Sequence, residues 1–289
     1  MSTTLTPPTT PPTPPTEPPR PGGQQPAPAS GARAIAILTA VAGGALILGA
    51  MGTGVLSTVS SGSVETSMAT AETGGVTALA VDTSAADVEI SFGDVDEATL
   101  TVTGVRGADA WQLARDGDIL VVDSERDWWN GWNTWGDISR ATLVLPAELA
   151  GVDAELRVDA GQLRVEGDFG ALALRVDAGS LDAVGSATTL DTNVSAGRAS
   201  IELDGVTDAT VSLSAGRVTG SLTGTPPASV TVDAEAGAVD LTLPRGSYAV
   251  DARRDAGNFT NGLTEDATSP HRVDVRVSAG SVSLRPAVG

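Results

Sequence analysis

The sequence predicts an all-β protein: a β-solenoid (β-helix) of about seven short coils with an N-terminal β cap, preceded by one transmembrane helix. One observation behind this is a tripeptide ending in Ala-Gly that recurs seven times after residue 158. Another is an uncharged apolar segment near the N-terminus. The third is composition, because aromatic residues make up only 3% of a chain that contains 34 glycines. Such a composition suits many short strands joined by tight turns.

The repeat consists of Asp, Ser or Glu followed by Ala-Gly, and apolar residues alternate with polar ones on both sides of it. This period of two predicts a strand, a sharp corner and a second strand, a unit that we call a coil. A unit of this size cannot bury its own apolar side chains, so the coils are expected to stack. A β-sandwich of separate hairpins is the alternative, but it does not explain why the same corner recurs in every unit. The corner glycines are Gly161, Gly179, Gly197, Gly216, Gly237, Gly257 and Gly280.

Residues 151–289 are therefore assigned to the β-solenoid repeats, and residues 76–150 to the β-rich cap. Within the repeats, residues 252–262 fit the pattern worst, so their coil is expected to be irregular or exposed at an edge. Within the cap, residues 82–88 are a degenerate copy of the repeat, and Pro146 is expected to end a strand. Other strand-like runs of the cap lie at 79–81, 88–92, 100–105, 119–122 and 141–145.

The N-terminal part divides into three segments. Residues 1–32 are rich in Pro and Thr and are predicted to be a disordered cytoplasmic tail. Residues 33–59 are predicted to be a transmembrane helix, since about 20 apolar residues span a bilayer. A cleaved signal peptide and a buried core helix are the alternatives. Residues 60–75 are predicted to be a linker.

Flanking charge predicts the orientation of this helix. Arg20 and Arg33 precede the apolar segment, and the next Arg is Arg106. The positive-inside rule then places the N-terminus in the cytoplasm and the C-terminal domain outside the cell membrane. The oligomeric state is not predicted by any feature of the sequence.

The net charge of −19 and the absence of Cys limit the functions that this chain can have. An acidic surface argues against nucleic acid as a partner, because phosphates require a basic face. Without Cys, disulfides and thiolate metal sites are excluded, and no metal site or cofactor is expected. The acids at the coil corners repel each other if the coils stack in register, which a cation could relieve; we expect them instead to be solvated turn caps.

The order of these features resembles a known family. A membrane segment is followed by a β-rich lead-in, by the strand 141–146 ending in Pro, and by tandem copies such as Leu-Arg-Val-Asp-Ala-Gly-Gln-Leu-Arg-Val at 156–165. This chain resembles the "putative adhesin" family of bacterial envelope proteins over roughly residues 76–285. The resemblance implies a β-solenoid at the cell envelope and no catalytic residue.

A cluster of tryptophans is the candidate binding site. Trp128, Trp129, Trp132 and Trp135 fall within eight residues, among Asn, Asp and Gly that predict a loop. Flat indole faces beside polar side chains suit a cell-wall glycan, an envelope protein or the membrane–water boundary. The other interpretation is a local aromatic core that covers the end of the solenoid.

The sequence favours a non-catalytic, adhesin-like interaction module of the cell envelope. His271 is the one histidine and follows Pro270 in a polar stretch, so we expect it to be an exposed loop residue. The alternative function is a carbohydrate-active enzyme that uses paired carboxylates on cell-wall polysaccharide. A sensor that connects the envelope to the cytoplasm through the N-terminal tail is a third hypothesis.

Overall fold

The computed structural model describes residues 57–61, 64–104, 108–124 and 139–288. Over these residues the protein is all-β, and its strands form an open sheet. Two short 3-10 helices, Ala108–Ala110 and Ala147–Leu149, interrupt the strands. The strands are β1 (Ser57–Ser61), β2 (Val64–Ala71), β3 (Ala78–Gly93), β4 (Ala98–Gly104), β5 (Trp111–Asp116), β6 (Ile119–Ser124), β7 (Ser139–Pro146), β8 (Val152–Asp204), β9 (Asp208–Thr223), β10 (Ser229–Leu243), β11 (Ser247–Arg254), β12 (Asn258–Asn261), β13 (Thr264–Glu265), β14 (Arg272–Val277) and β15 (Ser281–Pro286).

The repeats stack in parallel and in register. The first part of β8 pairs with β3 and its last part pairs with β9, so this strand of 53 residues folds back on itself coil by coil. Corner glycines lie directly above one another, because a Cβ added to Gly179 would lie 1.9 Å from the carbonyl oxygen of Gly161. Gly197, Gly216 and Gly237 are aligned in the same register through β9 and β10. Only glycine fits the column between Gly161 and Gly237, which explains why this residue recurs at the corners of the repeats.

The core is formed by the inward-facing residues of successive coils. The apolar residues predicted on both sides of the corners occupy these positions. Val, Leu, Ile and Ala fill the space between the coils, so few aromatic rings are needed. Buried positions before the corners are Val158, Val176, Val194, Leu213, Ala234 and Val277, and those after them are Leu163, Leu181, Ala199, Val218, Val239 and Val282.

At the N-terminal end the stack continues through β3 and then changes direction. Ala86 of β3 is aligned with Gly161, so the degenerate repeat at 82–88 forms a corner of the stack as predicted. The strands β6 and β7 form the next coil, parallel to β3. Beyond them β4 and β5 are antiparallel, and β2 and β1 follow. Antiparallel strands thus cover this end, and β7 ends at Pro146 as the sequence predicts.

At the C-terminal end the coils do not follow the order of the chain. The last coil in sequence, β14–β15, pairs with β10. The preceding coil, β11–β12, lies outside it and pairs with β14 and β15. Residues 252–262 therefore belong to the coil at the edge of the stack, which confirms their prediction as the edge-exposed unit.

The structure corrects two boundaries near the N-terminus. Residues 57–59, which were predicted to end the transmembrane helix, lie in β1, which pairs with β2. The predicted linker, 60–75, contains all of β2, in which Ser67 and Ala69 alternate inward and are buried. No helix within the described ranges is long and apolar enough to cross a membrane. The predicted tail, 1–32, and the rest of the predicted helix lie outside those ranges.

Candidate functional site

The four tryptophans of the predicted site lie at 128–135, outside the described residues, but the strands on either side are described. Strand β6 ends at Ser124 and β7 begins at Ser139. The fifth tryptophan, Trp111, is only 5% exposed and packs in the core at the start of β5. It therefore has a structural role that is separate from the predicted site.

The register shows where the tryptophan segment enters the stack. Asp123 of β6 is aligned with Asp82 of β3, and Ser139 of β7 is aligned with Ala86. Three residues, 83–85, connect these positions in β3, whereas fifteen, 124–138, connect them in the β6–β7 coil. The segment that carries the tryptophans therefore lies, in the sequence, between two described strands that flank a corner of the β6–β7 coil.

Two of the corner acids are held by an arginine that lies two residues before the first of them in the same strand. The Arg157 guanidinium donates from Nε to Asp159 at 3.0 Å and from Nη2 to Asp177, one coil away, at 3.2 Å. Asp177 also accepts a hydrogen bond from the Ser195 hydroxyl of the next coil. The hydrogen bond to Asp159 is the main cause that raises the pKa of Arg157. This arginine provides the positive charge that relieves repulsion between stacked carboxylates.

Other polar side chains on the outer faces also pair between neighbouring coils. Asp182 accepts a hydrogen bond from Gln162, and Arg164 lies 3.9 Å from it. Asp240 contacts Arg217 at 3.0 Å on one side and Arg285 at 3.4 Å on the other. These pairs are partly exposed, so each contributes at most about 1 kcal/mol. Their effect is to fix the register of the coils as much as to stabilise them.

Asp191 is a partly buried carboxyl on β8. Burial raises its pKa, an effect that the nearby Arg175 reduces. A raised carboxyl pKa is a feature of many catalytic acids, but it also occurs at structural positions. Because partial burial within a regular stretch of β8 accounts for the direction of the shift, we treat Asp191 as a structural residue.

His271 differs from its predicted position. It is half-buried, and its Nδ1 donates to the carbonyl oxygen of Pro227 at 2.8 Å. Its ring lies 6.0 Å from that of Tyr248, whose hydroxyl donates to the Pro244 carbonyl. Burial raises the pKa of Tyr248 to about 12. The predicted exposed loop histidine is instead part of the packing that connects β11 to the loop before β14.

Two features of this surface were not predicted from the sequence. Arg157 lies two residues before Asp159 in the same strand, and its second hydrogen bond, to Asp177, forms only because the next coil stacks beside it. The poor fit of residues 252–262 to the repeat indicates an edge, but it does not indicate that the final coil lies inside that edge. In the described part of the chain, no group of three or more His, Asp or Glu side chains is placed to hold a metal ion.

Comparison with known proteins finds similar folds only among solved structures. No protein-family profile matches the chain, and no curated protein matches it. A "putative cell adhesion protein" from Clostridium sporogenes is 9% identical, with a TM-score of 0.38 over 78% of this chain and 100% of that one. A "putative adhesin" from Bacteroides fragilis is 13% identical, with a TM-score of 0.42 over 77% and 97%.

A third solved structure has a different description. It is a "putative lipid binding protein" from Parabacteroides distasonis, 11% identical, with a TM-score of 0.34 over 77% of this chain and 97% of that one. Several of the structural neighbours thus carry the name of the family that the sequence resembles, the "putative adhesin" family.

Proposed function

We propose that this chain is a single-pass envelope protein whose stacked coils form a β-solenoid and act as a non-catalytic, adhesin-like interaction module. The N-terminal tail lies in the cytoplasm, residues within 33–56 anchor the chain in the membrane, and the stack lies outside. The binding site comprises Trp128, Trp129, Trp132 and Trp135, and its ligand is a cell-wall glycan or another envelope protein.

The observation that carries this proposal is the insertion at the β6–β7 corner. In the described residues, the corners of the glycine column are short, since the stacked Ala-Gly backbones leave no space for side chains between coils. Here fifteen residues replace three, and four of them are tryptophan. A loop that carries large aromatic side chains on a regular scaffold is a common arrangement for recognition.

The outer faces of the stack support a structural role for part of the charge. Arg157, Asp177, Asp182 and Asp240 take part in hydrogen bonds or ion pairs between coils. Their charges hold neighbouring coils in register, so these residues have a role that requires no reaction. Recognition is then concentrated at the ends of the stack and at the inserted corner.

Binding to purified cell-wall material tests this function. The soluble fragment should begin at Ser57, because β1 pairs with β2 and a later start would remove it. A variant in which the four tryptophans are replaced by Ala should lose binding by at least about tenfold, since stacked aromatic rings contribute about 0.5–1.5 kcal/mol each. A sedimentation assay with insoluble wall material measures the bound fraction.

A matched variant separates loss of the aromatic faces from loss of folding. Replacing the same four tryptophans by Phe keeps flat apolar rings and should retain most of the binding, whereas the Ala variant should not. Circular dichroism must show the same β spectrum for all three proteins. Equal binding by the Ala variant, or binding by none of them, would overturn the assignment of this loop.

A further inference from the structure

The β11–β12 coil is the outermost coil at the C-terminal end, and its outer edge is unpaired along most of its length in the described structure. Strand β13 pairs only with Ser247 and Tyr248. The backbone N–H of Ala249 donates inward to the carbonyl oxygen of His271. Because inward and outward groups alternate along a parallel strand, every second N–H after it points away from the stack. Such an edge is a template on which a strand of a second copy of this chain can add.

The hydrophobic core is also incompletely covered at this edge. Val250, Ala252 and Phe259 pack against the core but are only partly buried. Their register partners one coil inward are at most 1% exposed: Val273, Val275 and Val282. A further strand in register would cover the three side chains of the edge coil. Both the backbone and these apolar groups therefore favour the addition of a strand.

Arg254 interrupts this apolar row. It is in register with Val277, and the same core column continues through Ala234, Leu213 and Val194. These four residues are at most 2% exposed, whereas Arg254 is exposed. Its charge reaches water because no coil covers it. A strand added here would enclose the guanidinium among apolar side chains, and the burial of an unpaired charge has a large free-energy cost.

Asn261 interrupts the second core column of the edge coil. It is in register with Leu284, which pairs in turn with Leu241, and both leucines are buried. The Asn261 side chain donates to the Glu265 carboxylate and accepts a hydrogen bond from the backbone N–H of Leu263 at 3.0 Å. These bonds turn the chain toward β13, which pairs with the start of β11. The inward position in β12 is thus held by a polar side chain with local partners.

The same two residues exclude the β11–β12 coil from the place that the β14–β15 coil occupies. If the coils followed the order of the chain in the same register, Arg254 would lie between Ala234 and Val277. The β14–β15 coil has only Val or Leu at its inward positions, which are 273, 275, 277, 282 and 284. This coil can therefore fill the inner place without burying a charge.

We propose that Arg254 and Asn261 are stop residues, which make the β11–β12 coil the last one of the stack and prevent a strand of a second copy from adding to it. Charge at an inward position is one of the ways in which an edge strand resists pairing. Side chains thus close the C-terminal end, whereas antiparallel strands cover the N-terminal end. This role is independent of the tryptophan segment and of its ligand.

Sedimentation velocity of the full-length protein in mild detergent tests the proposal. The variant R254V/N261L introduces the residue types found one coil inward, and its Kd for self-association should be at least about tenfold lower than that of the unchanged protein. R253V/T260L is the matched control, since it makes similar changes at the neighbouring positions, whose register partners are Arg276 and Ser283. This control should leave the Kd unchanged. Association through any other part of the chain is common to all variants.

A third variant returns a charge to a different inward position. R254V/N261L/A252E should restore the Kd of the unchanged protein, and circular dichroism must show the same β spectrum for all variants. No increase in self-association of R254V/N261L would overturn the proposal, because every inward position is then apolar whichever of the two coils is outermost. An equal increase in R253V/T260L would overturn it too. So would an unchanged protein that already self-associates with a Kd that Ala252→Glu raises.

Discussion

Thr192 places a hydroxyl group in an otherwise apolar column of the core. It is 0% exposed, and its Oγ1 has no hydrogen-bond partner. Val211, Val232 and Val275 follow it in register on the next coils. An unpaired buried hydroxyl group has a desolvation cost that a methyl group of the same shape does not have.

Thr192→Val should therefore raise the free energy of unfolding by about 1 kcal/mol. Chemical denaturation of the two proteins measures the difference. Thr210→Val is the matched control, since Thr210 lies on the outer face of the next coil and is only half-buried. A loss of stability in Thr192→Val would mean that the hydroxyl is satisfied in the folded protein.

Asp191 and Asp266 should affect stability in opposite directions as the pH changes. Burial raises the pKa of Asp191, so its ionised form is disfavoured in the folded state, and this cost is relieved as the pH falls through the folded pKa. Hydrogen bonds from the Thr268 hydroxyl and backbone N–H lower the pKa of Asp266. Its contribution is present above the unfolded pKa and is lost as the pH falls through the folded pKa.

Asp191→Asn should thus raise the melting temperature at neutral pH, and Asp266→Asn should lower it. Both differences should shrink as the pH falls below the ordinary carboxyl pKa, because the carboxyl groups are then protonated in the folded and unfolded states. Melting curves between about pH 3 and about pH 7, from about 1 unit below the ordinary carboxyl pKa to about 3 units above it, measure this. Two variants that shift in the same direction at neutral pH would contradict these assignments.

At the scale of the element, the corner depends on close contact between glycine backbones. A Cβ on Gly216 would lie 1.8 Å from the carbonyl oxygen of Gly197, and its φ is +121°. Gly205 also has a positive φ, +74°, but a Cβ there would meet nothing within 4 Å. Substitutions at these two positions therefore distinguish the free-energy cost of a left-handed backbone conformation from the cost of a steric clash between coils.

Gly216→Ala should lower the free energy of unfolding by about 3 kcal/mol or more, because neighbouring coils must move apart. Gly205→Ala should cost only about 1 kcal/mol, the strain of a left-handed residue. Denaturation midpoints of both variants provide the comparison. Equal effects would contradict the direct stacking of corners.

The sequence predicts the corners well because their chemistry is local. Period-two alternation and the recurring Ala-Gly identify each coil from its own residues alone. Even the degenerate copy at 82–88 occupies its expected place in the stack. Strand β2 was assigned to a linker because its Ser and Thr residues resemble a tether. Its pairing with β4, in which the partners are 27 to 39 residues apart in the sequence, is not visible in the local pattern.

The candidate site remains a prediction from the sequence, where the cluster of four tryptophans is evident. That the strands on either side of this cluster flank a coil corner follows from the alignment of Asp123 with Asp82 and of Ser139 with Ala86. The open edge at β11–β12 was suggested by residues 252–262, whose arginines and asparagines interrupt the core pattern. That the final coil lies inside this edge requires the three-dimensional pairing.

At the scale of the whole molecule, the two ends of the stack differ in construction. Antiparallel strands close the N-terminal end, where the chain continues toward the predicted membrane segment. The C-terminal end has an open parallel edge with Arg253 and Arg254.

The exchange of the last two coils also has a consequence for folding. Strand β10 has to remain unpaired on one side until residues 272–286 have been synthesised and inserted beside it. The β11–β12 coil can join the sheet only after that step. The C-terminal residues therefore complete the stack, and their removal should unpair both β10 and the β11–β12 coil.

The order of the coils is the central claim, and engineered disulfides test it most directly because the chain contains no Cys. Thr231 of β10 and Asp274 of β14 are register partners, as are Asp274 and Asp251 of β11, and neighbouring strands lie about 4.8 Å apart, within disulfide reach. The double variant T231C/D274C should form a disulfide under mild oxidation, whereas T231C/D251C, two coils apart, should not, as measured by mass spectrometry of peptides from the folded protein. A disulfide in T231C/D251C and none in T231C/D274C would show that the coils follow the order of the chain and would contradict the structure described.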